Sequence, residues 1–187
     1  MEQYVNRNFE YALAWHCAPS LSGLKPADLI CLPEWEDWHS VIGYYAPVLA
    51  RRGIRMRVLG RSAGRILLLI YRPGGLRQCL NEPEVAAMLT RAGYPTGAGT
   101  HALLCCLSVR LAGQEFPHEI GLFLGYPPED VAGFCRDGGR NCRCSGAWKV
   151  YGDVEQAKKR FRAFHRCRTT LIRQLNLGEE LERILSA

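Results

Sequence analysis

The run Ile66 to Tyr71, six apolar residues in succession, constrains the fold more than any other stretch. It is far too short for a membrane span, which takes about 20 residues. Six residues suit a strand, and a strand that is apolar at every position must be covered on both faces. It therefore reads as a central strand. Just before it, Ile54-Arg55-Met56-Arg57-Val58 alternates with period two, the pattern of a strand with one solvated face. Gly60 to Gly64 supplies the turn, so 54–72 is a hairpin, closed by Pro73-Gly74-Gly75.

Most of the remaining pattern is helical. A first helix is expected over Glu2 to His16, with Val5, Phe9, Ala12, Leu13 and His16 on one face, and Pro19 should stop it. Asp28 to Leu32 reads as a short strand. Pro33 suits the first position of a helix that carries Trp35, Trp38, Ile42, Tyr45 and Leu49. Helices follow over Asn81 to Ala92 and His101 to Ala112, the latter with Cys105 and Cys106 as core residues, and another should begin at Pro117. Ala147 to Tyr151 is a strand. Asp153 and Gln156 form a capping box for the last long helix, which buries Val154, Ala157, Phe161, Phe164, Leu171, Ile172 and Leu175. The expected fold class is α+β, a mainly helical single domain over residues 1–187. Its small sheet should include the 54–72 hairpin and the 147–151 strand.

Two familiar motifs are excluded by their context. Gly97-Ala98-Gly99-Thr100-His101-Ala102 has glycine spacing like a dinucleotide fingerprint, but no strand precedes it. His118-Glu119 begins like a zinc-protease helix, but Leu122 stands where the second histidine belongs. The N-terminus has neither the basic nor the apolar segment of a secretion signal, so a cytoplasmic location away from membranes is expected.

The last helix carries Lys158, Lys159, Arg162, Arg166 and Arg173 on the side opposite its apolar stripe. With a net charge of +6, this face suits an acidic protein or nucleic acid. Arg168 falls within the apolar stripe instead. A buried arginine requires a carboxylate or a bound anion, and Glu119, in the first turn expected after Pro117, is a candidate partner.

Nine cysteines without a secretion signal point to free thiols, metal ligands or redox chemistry, not to a disulfide framework. Cys17, Cys142, Cys144 and Cys167 lie at structural breaks or helix edges, and four thiolates can hold zinc or an iron–sulfur centre. A Cys-x-Cys pair such as Cys142 and Cys144 turns both sulfurs the same way, although Cys17 and Cys167 have no close companion. A second reading is reversible thiol redox, with Arg136, Arg140 and Arg143 favouring thiolates. A third is a cysteine-nucleophile enzyme, in which Cys17 or Cys142 has His16, His118 or His165 as base. Cys17, His16, His118 and Glu119 are thus the catalytic candidates, and no motif names a reaction.

Taken together, His16-Cys17-Ala18-Pro19 with Gly23-Leu24-Lys25, Phe116 to Pro127, Asn141-Cys142-Arg143-Cys144, Trp148 to Asp153 and Arg166-Cys167 resemble an uncharacterised bacterial family, a domain of unknown function found mainly in anaerobic Firmicutes. The resemblance spans nearly the whole chain. It implies a single bacterial cytoplasmic domain and no particular activity. An anaerobic setting would favour free thiols and iron–sulfur chemistry.

Overall fold

The computed structural model describes residues 2–35 and 37–185, and the side chains of residues 7–35 and 37–185. Its elements are α1 (Glu2–Leu21), β1 (Ala27–Pro33), α2 (Trp38–Ala50), β2 (Arg55–Ser62), β3 (Arg65–Tyr71), α3 (Pro73–Leu80), α4 (Pro83–Arg91), α5 (Gly99–Leu111), α6 (Ile120–Phe123), α7 (Pro128–Asp137), β4 (Cys144–Ser145), β5 (Lys149–Val150), α8 (Val154–Asn176) and α9 (Leu181–Ile184). The class is α+β and mainly helical, as the sequence pattern indicates. The chain divides into two compact units. Unit 1 joins the residues up to Pro73 with those from Phe164 onward, and unit 2 is Gly74–Ala163. Residues 154–163 of α8 thus count with unit 2 and residues 164–176 with unit 1.

Unit 1 is built on an antiparallel sheet of order β1-β3-β2. The apolar run is its middle strand. Ile66, Leu68 and Ile70 on one face and Leu69 on the other are all fully buried. Ala27 pairs with Tyr71 on one side of β3, and Arg55 pairs with Tyr71 on the other. A bulge at Leu59 shifts the register of β2 between Val58 and Gly60. Phe9, Leu13, Cys17, Tyr45, Leu49, Leu171 and Leu175 pack with Leu68 and Ile70 in one core. The side chain of Val5 lies outside the described residues. Glu10 is a buried carboxylate there, taking Tyr45 Oη at 3.0 Å and the Leu181 amide at 3.2 Å.

Unit 2 contains α4 to α7 and a separate two-stranded sheet, β4 with β5. The 147–151 segment therefore does not join the hairpin's sheet; the third strand there is β1. Asp130 on α7 fixes the β5 end. Its buried carboxylate accepts Trp148 Nε1 at 2.6 Å and the amides of Tyr151 and Gly152 at 2.6 and 2.8 Å.

Four proline expectations are corrected. α1 runs through Pro19 to Leu21. Pro19 has no amide to donate, but the disturbed backbone finds other partners: the Ser20 amide donates to Asp28 Oδ2 at 2.9 Å, and the Pro19 carbonyl accepts the Leu24 amide at 2.8 Å. Pro33 ends β1 and does not open a helix, and α2 starts at Trp38. An edge strand tolerates a proline because its outer side needs no partner. Pro73 opens α3, where its fixed φ suits a first helical position. The helix expected from Pro117 begins only at Ile120, leaving His118 and Glu119 in the preceding turn.

Candidate functional site: a basic groove beside a buried ion pair

In unit 1 the end of α1 is locked by Lys25 and Asp28, three residues apart and both buried. Lys25 Nζ lies 2.5 Å from Asp28 Oδ1 and 5.8 Å from the centre of the Phe164 ring. Arg72 covers the open end of α1, donating to the carbonyls of Ser20 and Leu21. This frame positions the segment His16-Cys17 beside α8.

Cys17 has no exposed surface, and burial, reinforced by Asp28, pushes its thiol well up. Cys167 is half-buried, lies 3.1 Å from the Phe164 carbonyl, and is also pushed up, chiefly by burial. His16 faces outward. Partial burial and then the positive charge of Arg168 push its imidazole down, against a smaller opposing pull from Asp28.

Beside this frame lies an open groove of about 430 Å³ between Trp15 on α1 and the C-terminal turns of α8. Trp15 is 53% exposed, and the Arg168 guanidinium carbon stands 5.4 Å above its ring. Arg168 Nε is buried and has no hydrogen-bond acceptor among the described residues. Ile172 and Leu177 add apolar wall, His165 and Arg173 add basic groups, and no aspartate or glutamate among the described residues lines the groove. Asn176 accepts a hydrogen bond from Tyr11 Oη to its Oδ1 at 2.6 Å, which leaves its amide nitrogen as a donor. Of this set, the stripe position of Arg168 and the basic character of Arg173 are legible in the sequence. Trp15 and Asn176 are not, because they meet only through the packing of α1 on α8.

Most of the other candidates lie in unit 2. Glu119 accepts Tyr94 Oη at 3.0 Å and Arg110 Nη1 at 3.1 Å, both from within its own unit. His118 packs edge-on to Phe134, with ring centres 4.9 Å apart. Cys142 and Cys144 are partly exposed on either side of Arg143, whose amide donates to the Val150 carbonyl at 2.8 Å. Of the arginines near them, Arg136 binds both oxygens of Asp137 at 2.9 Å, and Arg140 Nε donates to the Asp137 carbonyl at 3.2 Å. Lys158, Lys159 and Arg162 are exposed, with Lys158 paired to Glu155 at 3.0 Å, and Arg166 and Arg173 are exposed on the part of α8 in unit 1.

All nine cysteines are free thiols. Among the described residues, no three or more His, Cys, Asp or Glu side chains group as metal ligands. No helix among them is long and apolar enough to cross a membrane. A family model described as a protein of unknown function (DUF3793) matches residues 13–185. No curated protein and no solved structure matches the chain.

Proposed function

We propose that this chain, which belongs to the DUF3793 family, is a binding module whose groove beside Trp15 holds a small anionic ligand. The observation that carries this reading is the buried Arg168 Nε without an acceptor among the described residues. A buried donor left unmade is costly, and for a charged group more so. The guanidinium fork matches a carboxylate or phosphate, and Arg173 adds positive charge beside it. At about 430 Å³ the groove has the size of a small-molecule site. The exposed Arg166, on the part of α8 in unit 1, adds to the positive field that draws anions in. Zinc or iron–sulfur binding by Cys17, Cys142, Cys144 and Cys167, and thiol redox or nucleophilic chemistry, rest on the cysteine pattern alone. The buried, neutral Cys17 thiol favours a packing role at that position.

The test is thermal unfolding with inorganic phosphate at constant ionic strength. The melting temperature of the wild-type protein should rise with phosphate, and Arg168→Met should abolish the rise. In anion-free buffer Arg168→Met should leave the melting temperature unchanged or higher, since it removes an unsatisfied donor. This contrasts with the loss of about 3–5 kcal/mol expected on breaking a buried ion pair. A wild-type protein indifferent to phosphate overturns the reading.

A further inference from the structure

Binding of a bare anion at Arg168 leaves one surface of the groove unused, and the role of that surface as a ring platform rests on the anion reading. Trp15 exposes more than half of its surface, 53%, directly beside Arg168, whose Nε has no acceptor among the described residues. Trp35, Trp38 and Trp148 are not exposed in this way. A bare anion would bind the guanidinium and leave the indole, Ile172 and the 71%-exposed Leu177 wet. The polar groups of the groove are also rich in donors. Arg168 and Arg173 can only donate, and Tyr11 already occupies one lone pair of Asn176 Oδ1, so donors predominate over the acceptors left on Thr169, His165 and Asn176. A fitting ligand therefore offers acceptors at its head and a flat apolar body. We infer that the groove binds a planar aromatic ring that carries a phosphate or carboxylate, with the ring packed against Trp15 and the anion held by Arg168 and Arg173.

The helix sets the scale. Arg168 and Asn176 are eight residues apart on α8, a rise of roughly 12 Å, enough for a ring and its anionic arm to lie along it. The guanidinium already stands over the indole at 5.4 Å. A ligand whose anion reaches Arg168 therefore has its ring close to the indole, and engages both partners together. A nucleoside phosphate and an aromatic carboxylic acid share this chemistry.

Calorimetric titration separates the two sources and tests the idea. The probes are adenosine monophosphate, adenosine, 2-naphthoate, acetate and inorganic phosphate. Adenosine monophosphate should bind about tenfold or more tightly than phosphate if the source is a nucleotide. 2-Naphthoate should exceed acetate by a like factor if it is an aromatic acid. Trp15→Leu keeps an apolar side chain at an exposed position. It should erase the ring-dependent gain, so that adenosine monophosphate binds this variant no more tightly than phosphate does, whereas Arg168→Met should weaken every anionic probe. Ring-bearing anions no tighter than phosphate and acetate overturn this inference and leave the anion reading standing. If no probe binds, phosphate included, both fall.

Discussion

Cys17 and Cys31 lie in neighbouring elements of one unit, yet only one of them meets solvent. Cys17 is fully buried in the core, while Cys31 is exposed on β1 with its sulfur 2.9 Å from Arg65 Nε. A thiol must be reached, and must lose its proton, before it can be alkylated. Burial denies Cys17 both, and Asp28 adds to the effect on its proton. Timed treatment of the native protein with iodoacetamide, followed by peptide mapping, should label Cys31 early and Cys17 only as the protein unfolds. Equal rates would remove Cys17 from the core and restore it as a candidate nucleophile. The same contrast shows what a one-dimensional reading misses. His16-Cys17 at a proline looks like a helix end open to chemistry, because local rules see Pro19 and not Asp28. It is Asp28, eight residues on from Ser20, that takes the Ser20 amide and lets α1 continue.

Among the elements, α7 and β5 depend on a single carboxylate. Asp130 holds the Trp148 indole and two successive amides, those of Tyr151 and Gly152. α7 also approaches the residue after β5 so closely that a Cβ on Gly133 would lie 2.3 Å from Tyr151 Cγ. Asp130→Ala strands three buried or part-buried donors and should lower stability by about 3 kcal/mol or more, measured by urea unfolding. A loss below about 1 kcal/mol would mean that water replaces the carboxylate. The helices, the hairpin and the capping role of Asp153, whose Oδ1 accepts the Gln156 amide at 3.0 Å, were legible in the sequence because period and capping are local signals. Asp130 was not, since its partners lie 18 to 22 residues away in a loop without periodicity. The groove divides in the same way. Helical angle alone puts Arg168 on the buried side of α8, whereas the Tyr11–Asn176 contact spans 165 residues.

At the scale of the whole molecule, the proton-binding groups define a pH window. Burial raises the thiols of Cys17, Cys79, Cys135 and Cys167, and it raises the phenols of Tyr45 and Tyr94, each beside a carboxylate. Both units contribute, through Tyr45 hydrogen-bonded to Glu10 and Tyr94 to Glu119. A raised group keeps its proton in the fold after the unfolded chain has lost its own. Its contribution is therefore complete below the unfolded value and is lost as pH rises toward the folded one. His16, pushed down, works in the opposite direction: the unfolded chain takes up a proton first as pH falls. Urea unfolding should show a plateau between about pH 6.5 and 8.5, with declines on both sides. The alkaline decline should steepen above about pH 10 and be shallower in Tyr45→Phe. Stability that climbed steadily past about pH 9 would contradict the burial of these groups. The bulge at Leu59 bears on a different hazard, that of one molecule adding its sheet to another's. β2 is a sheet edge, and an edge strand is a template for any extended chain that can match its spacing. The slip in register at Leu59 breaks that spacing midway, and Arg55, exposed on the same strand, adds a charge to that edge. The sheet thus resists growth into a fibre by its outline as well as by its charge.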